Sequence, residues 1–230
     1  MSNVLDNPVW HALTGPQARH AQGRGQARLY PRDMAPFSAI EEASPAAYAD
    51  LAAGLPVNTE ARLFRLSEEP LPSGWLKVDA FPMLQMVPRQ DLPIADDYPV
   101  PDDLTEADAP AMRELAATAK PGPFGPRTHQ LGGFIGYRDG VRLSAMAGER
   151  MRLPGYVELS AICTHPGARR RGLAAGLTRC LVNRAIDRGE TPFLHVRAEN
   201  EEAVSLYRRL GFAVRREIWV LWRKPVAASS

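Results

Sequence analysis

Cysteine is scarce in this chain, two in 230 residues, which excludes a disulfide-stapled scaffold as the basis of the fold. No stretch approaches the roughly 18 consecutive apolar residues that suggest a membrane-spanning helix, so no membrane partner is expected. The opening residues, Met1 to Asp6, carry neither a basic leader nor a following apolar core. No secretory signal is therefore expected, the chain reads as cytoplasmic, and Cys163 and Cys180 read as reduced thiols. Charge of one sign is also lacking, with 28 Lys+Arg against 26 Asp+Glu. Internal repeats and long low-complexity runs are absent. The hydrophobic share of 45% and the charged share of 23% match an ordinary globular chain and exclude a disordered or collagen-like one.

What is present is unevenly spread. Of the 21 prolines, 17 fall within residues 1–126, whereas the last 80 residues hold 14 basic against 7 acidic side chains. The first part contains an alanine-rich helical candidate, Pro36 to Leu55, and two β-like runs, Ala61 to Leu66 and Trp75 to Val87. Turn chemistry from Glu68 to Gly74 separates the two runs. Pro88 to Asp103 is the best linker candidate. A boundary near residue 95 is expected, dividing an N-terminal unit (1–95) from a second one (96–230).

The second unit is more legible. Leu104 to Ala119 reads as a helix, with Thr105 and Asp108 spaced as a capping box and Pro121-Gly122-Pro123 as its stop. Gly133 to Arg138 and Val141 to Arg150 read as strands joined through Asp139-Gly140, a hairpin dipeptide. Tyr156 to Cys163 reads as the next strand. A helix from about Arg171 to Arg188 follows, with Leu173, Leu177, Leu181 and Ala185 on one face and Gly189 as its left-handed end. Phe193 to Arg197 is a short strand. Asn200 caps a helix bearing Ala203, Leu206, Tyr207 and Leu210, Gly211 stops it, and Phe212 to Trp222 is the last strand. The fold class is mixed α/β.

Chemistry concentrates in Thr164 to Ala174, a strand-to-helix turn dense in small and basic residues. Such a turn offers unpaired amide N–H groups at a helix N-terminus to an anion. Gly172 lets a phosphate approach the backbone, and Arg169, Arg170 and Arg171 add fork-shaped donors. Read without that context, the three arginines are simply a solvated basic face. The G-x-G-x-x-G dinucleotide fingerprint and the P-loop pattern are both absent. No nucleic-acid-binding module is recognisable, and neither an H-E-x-x-H nor a zinc-spaced Cys pair occurs, so no metal and no nucleic-acid partner are expected.

Arg169-Arg170-Arg171-Gly172-Leu173-Ala174 fits the pattern Gln/Arg-x-x-Gly-x-Gly/Ala. Asn200, Ala203, Leu206, Tyr207, Leu210, Gly211 and Phe212 fit N-x-x-A-x-x-L-Y-x-x-L-G-F. Together, at this spacing, the two resemble the GCN5-related N-acetyltransferase (GNAT) superfamily over about residues 104–224, most nearly its FR47-like subgroup. The resemblance implies an acyl-CoA N-acyltransferase fold with a splayed central mixed sheet, and acetyl-CoA as acyl donor. It further implies that backbone groups of the turn, Arg169 to Ala175, hold the pyrophosphate. Ile162, Cys163 and Thr164 would run beside the pantetheine arm, Asn200 would contact it, and Tyr207 would protonate the departing thiolate.

The implied reaction is direct transfer to the primary amine of a small molecule or amino acid. Glu158 is the first candidate base, Glu149 the second and His195 the third. Each has a plainer reading: Tyr207 and His195 as core groups, Glu158 as an ion-pair partner and Cys163 as a small buried hydrophobe. The alternative functions are a non-catalytic acyl-CoA-binding module and a protein N-terminal or lysine acetyltransferase. Residues 1–95 lie outside the resemblance and are expected to form a degenerate acyltransferase-like half covering the acceptor side. A monomer or homodimer is expected. The chain after Phe212 has room for one strand where many relatives have two.

Overall fold

A computed structural model of the chain describes residues 3–89 and 98–226. The secondary structure runs α1 (Pro8–Leu13), β1 (Ala27–Leu29), β2 (Ser38–Ile40), α2 (Pro45–Gly54), β3 (Ala61–Arg65), β4 (Trp75–Pro88), β5 (Asp102–Leu104), α3 (Ala109–Ala119), β6 (Phe134–Asp139), β7 (Arg142–Leu153), β8 (Tyr156–Thr164), α4 (Leu173–Asp187), β9 (Thr191–Arg197), α5 (Glu201–Arg209) and β10 (Phe212–Pro225). The expected mixed α/β class is observed. Among the described residues no helix is long and apolar enough to cross a membrane.

The alanine-rich candidate from Pro36 to Leu55 is not one helix. Ser38–Ile40 is a buried strand, and the helix begins only at Pro45, where the Ser44 hydroxyl accepts from the Ala47 amide at 3.1 Å and proline occupies a position that needs no N–H. Nor does the helix expected from Leu104 begin there. Leu104 closes an edge strand, and the Thr105–Asp108 capping box caps a short 3-10 turn that leads into α3. The hairpin between β6 and β7 turns on Gly140 (φ +60°) and Val141, since Asp139 already pairs with Arg142. α1, β1 and β5 carry no strong periodic signal and went unforeseen.

Eight strands form one sheet in the order β3-β10-β4-β9-β8-β7-β6-β5, antiparallel except for β8 beside β9. Strands from both sides of the expected boundary share this sheet; residue 95 itself lies outside the described residues. β4 lies between β9 and β10, pairing with β10 from Phe212↔Pro88 to Pro225↔Trp75. The single strand after Phe212 thus finds its neighbours in β3 and β4, on the N-terminal side of the linker.

Successive strand residues face opposite layers. On β7, Ala145 and Ala147 pack with Leu177 and Leu181 of α4, and Met146 packs with Met112 and Leu115 of α3. At the other end, Phe64 and Val220 join the α1 cluster, whereas Leu63 and Leu221 join the α2 cluster.

Two irregularities open the middle of the sheet. β8 pairs with β9 only over Tyr156–Glu158 opposite Thr191–Phe193. Beyond that point β9 pairs instead with β4 on its other side, at Leu194–Arg197. In the same stretch β8 carries a bulge: Met146↔Cys163 and Gly148↔Ser160 enclose one more residue on β8 than on β7. Ala161 in that bulge has φ +52°, a conformation that costs a non-glycine residue about 1–2 kcal/mol. A bulge bends and twists its strand, and here it accompanies the parting of β8 from β9.

Candidate active site

The parted strands are flanked by two hollows that meet. The larger, about 570 Å³, is lined by Ile162, Cys163 and Thr164 of β8, by the turn residues Arg169, Arg170, Gly172, Leu173, Ala174 and Ala175, and by Asn200 and Tyr207. Of the cofactor residues expected from sequence, only Arg171 is missing from this lining; its side chain is exposed. Arg170 (φ +60°) and Gly172 (φ +78°) are both left-handed, and such alternation gathers successive N–H groups into an anion-binding concavity. Gly172 is also the N-cap of α4 and has no side-chain cap, so the first-turn amides remain open to a ligand. Among the described residues, Arg169, Arg170 and Arg171 form no ion pair within 4.0 Å.

Along Leu159–Thr164 no strand pairs with the β9-facing edge of β8 among the described residues, which leaves main-chain groups for an extended arm. Asn200 uses its side-chain oxygen to cap α5, accepting from the Ala203 amide at 3.2 Å. Cys163 is buried, and burial pushes its thiol up to about 12, so it stays a neutral thiol rather than a nucleophile. Both cysteines are free.

The second hollow, about 300 Å³, shares Lys120, Pro121, Ile162, Asn200, Ala203 and Tyr207 with the first. Its further walls come from alternate residues of four strands: Arg62 and Phe64, Phe81 and Met83, His195 and Arg197, Val220 and Trp222. Each pair is two residues apart and so faces one side of the sheet. In the register Arg62 stands opposite Trp222, and Val220 opposite both Phe64 and Phe81. Phe37, Arg150, Val196 and the β8 residues Leu159, Ser160 and Ala161 also line it. Three arginines lie over three rings: Arg62 over Trp222 at 3.8 Å, Arg197 over Phe81 at 3.8 Å and Arg150 over Phe37 at 4.7 Å.

The three candidate bases are placed as follows. Glu158 is fully buried and holds Arg150 bidentately, accepting from Nε at 2.7 Å and from Nη2 at 2.6 Å. Its Oε1 also lies 2.8 Å from His195 Nδ1. Burial alone would raise this carboxyl; the Arg150 charge and the bonds from His195 and Arg150 outweigh it and hold it down at about 2. The Gln85 side-chain oxygen accepts from Arg215 at 2.7 Å, so its amide nitrogen is the group facing His195 Nε2 at 3.1 Å. That network puts the imidazole proton on Nδ1, toward Glu158, and engages both ring nitrogens. Glu149 lies in a separate cluster with Arg152 at 2.8 Å and Arg188 at 2.5 Å, and neither hollow is lined by it. Tyr207 is buried, packs edge-on against Phe212 at 6.2 Å and lies at the junction of the hollows. Burial raises its phenol, so it is protonated at neutral pH. Among the described residues no three His, Cys, Asp or Glu side chains gather as a metal site.

The sequence reading missed Lys120 and all of the second hollow apart from its shared wall and His195. Lys120 was recognisable only as the residue before Pro121-Gly122-Pro123; it takes the left-handed position that ends α3. For the arginine–aromatic wall the one available signal was strand alternation, which does not say which face meets a ligand.

The family model for FR47-like proteins matches residues 134–220. No curated protein matches. A solved GNAT-family acetyltransferase structure from Novosphingobium aromaticivorans DSM 12444 is similar at 38% identity and TM-score 0.89, covering 97% of this chain and 99% of that one. A GCN5-related N-acetyltransferase from Kribbella flavida shares the fold at 20% identity and TM-score 0.60, over 94% of each chain. A GCN5-related N-acetyltransferase-like protein from Streptococcus suis 89/1591 does so at 14% and 0.58, over 93% of this chain and 92% of that one. On the first of these likenesses, which spans nearly the whole of both chains, this chain belongs to the GNAT family of acetyltransferases.

Proposed function

We propose that the chain is an acetyl-CoA-dependent N-acetyltransferase that passes the acetyl group directly to the primary amine of a small molecule or amino acid. The observation that carries this reading is the meeting of the two hollows. One has a turn suited to a diphosphate and an open strand edge suited to an extended arm, the other has room for a small acceptor, and Tyr207 stands between them. Acetyl-CoA supplies the acyl group as a thioester. In this reading the amides and arginines of the turn bind its diphosphate, at roughly 1.5–3 kcal/mol for each charge-assisted hydrogen bond, and Ile162 to Thr164 orient the arm.

The reaction forms a bond from the amine nitrogen to the acyl carbon and breaks the carbon–sulfur bond. The nitrogen gives up a proton to solvent water in the open hollow, and the departing thiolate takes one from a protein group that is then reprotonated from solvent. Tyr207, kept protonated by burial, is the proposed donor to the thiolate. Glu158 is a weak proton acceptor with both oxygens engaged, so we assign it the orienting of Arg150 and His195 rather than the base role expected from sequence. The lining itself favours the neutral amine, since an ammonium ion among Arg62, Lys120, Arg150 and Arg197 meets only like charge. The rate is therefore expected to rise with pH along the acceptor's own titration.

Titration calorimetry with acetyl-CoA, followed by thiol release across a panel of amines, tests the reading. Absence of binding at high micromolar concentration overturns it. Binding without thiol release from any amine favours a non-catalytic acyl-CoA-binding module instead.

A further inference from the structure

Among the described residues, the second hollow is lined by cations and rings but by no carboxylate. Its titratable residues besides Tyr207 are Arg62, Lys120, Arg150, His195 and Arg197. Their charges are not equally free. Arg150 is spent on Glu158, and Arg197, half-exposed, reaches Glu199 at 3.2 Å. Arg62 differs from both. Its side chain is largely buried, its ion pair with Glu60 is long at 3.9 Å and lies outside the lining, and among the described residues its Nε has no hydrogen-bond partner. Across the register, the indole N–H of Trp222 is likewise buried and, among the described residues, without a hydrogen-bond partner. Neither of these two atoms reaches the cavity surface, but the terminal nitrogens of Arg62 are not so enclosed and, among the described residues, donate no hydrogen bond, so the end of the guanidinium is open to the two oxygens of one carboxylate. The neighbouring wall is apolar: Phe37, Phe64, Phe81, Met83 and Val220. About 300 Å³ is at the floor of the usual small-molecule range, which suits a single amino acid and not a protein segment.

Resting on the acyltransfer reading above, we propose that the acceptor is a free amino acid with an apolar or aromatic side chain, and that the guanidinium of Arg62 anchors its carboxylate and sets this specificity. The guanidinium stacked on Trp222 is held in place while its edge remains available for a carboxylate. The same lining repels acceptors that carry a second positive charge, such as diamines and lysine side chains. It also leaves a peptide N-terminus without the carboxylate that the anchor needs.

The experiment compares L-phenylalanine, L-phenylalaninamide and phenethylamine as acceptors, with kcat/KM corrected for the fraction of neutral amine. The wild type should prefer the acid over the amide and the amine by roughly 10- to 100-fold, the range of one charge-assisted hydrogen bond. Arg62→Gln should collapse that ratio toward unity by raising KM for the acid, with KM for acetyl-CoA unchanged. Equal use of acid and amide by the wild type overturns the inference, as does an Arg62→Gln variant that loses both acceptors alike. Calorimetry with N-acetyl-L-phenylalanine reads the anion site without turnover: wild type should bind it and Arg62→Gln should not. Should acetyl-CoA fail to bind while this difference holds, the donor reading falls and the carboxylate site stands. Loss of the difference sinks the carboxylate site alone.

Discussion

The two hollows meet at Tyr207 and are built on opposite plans. The first is a main-chain device: residues from the single stretch Ile162 to Ala175, two left-handed positions at Arg170 and Gly172, and exposed arginines with no carboxylate partner among the described residues. The second is a side-chain device, gathered largely from seven strands or strand-flanking segments between Phe37 and Trp222, with each of its three arginines within 4.0 Å of a glutamate, Arg62 only at 3.9 Å, and all three laid over a ring. Main-chain binding constrains adjacent residues, because the turn must have a particular shape. Side-chain binding constrains positions that are remote in sequence and can be met by many combinations. The first plan suits a donor common to a whole family, and the second suits an acceptor that changes from member to member.

The change with the largest expected effect breaks the first plan alone. Gly172→Glu places a side chain on a residue at φ +78°, where only glycine is at ease, and puts a carboxylate among the open amides. Acetyl-CoA affinity should fall by at least about 100-fold, equivalent to roughly 3 kcal/mol, as read by calorimetry. Affinity for N-acetyl-L-phenylalanine, held by the second hollow, should stay within a few-fold of wild type. A variant that still bound acetyl-CoA normally would place the cradle elsewhere.

The same contrast explains what could be read from sequence. The second helix-and-turn unit was legible from Tyr156 to Trp222 because its signals are local: Gly189 ending α4, Asn200 capping α5 and Gly172 opening the turn. Even there the two-residue hairpin fell on Gly140-Val141, one position later than its Asp139-Gly140 signal suggested. In residues 1–89 the two β-like runs were legible, falling on β3 (Ala61–Arg65) and β4 (Trp75–Pro88), but the helices, the first two strands and the pairing were not. The helices are short, and β3 and β4 depend on partners far along the chain: Arg62 on Trp222, Pro82 on Trp219. Pro36 to Leu55 misled because alanine content favours a helix, whereas Ser38–Ile40 is buried on both sides and pairs with β1. Glu158 could be placed on its strand from sequence. Its engagement by Arg150 and His195 could not, since both partners are set by cross-strand geometry.

Removing a charge should therefore cost affinity in the first region and stability in the second. Glu158→Gln leaves Arg150 buried without its counter-ion, and such a loss typically costs about 3–5 kcal/mol. The pH dependence carries a definite sign. The folded-state carboxyl, at about 2, lies below its reference of 4.5, so its contribution is fully present above about pH 4.5 and disappears as pH falls through 2. Linkage makes that contribution about 3 kcal/mol. Denaturant unfolding of wild type and Glu158→Gln should show a wide gap at pH 6 that closes toward pH 2. Arg169→Gln, in the exposed turn, should leave stability unchanged and weaken acetyl-CoA binding instead. A gap independent of pH would mean that Glu158 is not ionised against Arg150.

The smallest effect is expected where the plans meet. Tyr207 packs against Phe212 and belongs to the α4–α5 core, so its ring has a structural role whatever its hydroxyl does. Tyr207→Phe keeps that ring and removes only the proton donor. If the hydroxyl protonates the departing thiolate, kcat should fall by about 10- to 100-fold, at the modest end of general acid catalysis. KM for acetyl-CoA should hardly move, because the diphosphate turn and the strand edge are untouched. The solvent isotope effect on kcat should also fall toward unity in the variant, since the proton transfer from Tyr207 is no longer part of the step. An unchanged kcat would confine Tyr207 to packing, and the thiolate would then have to take its proton from water or from the amine itself.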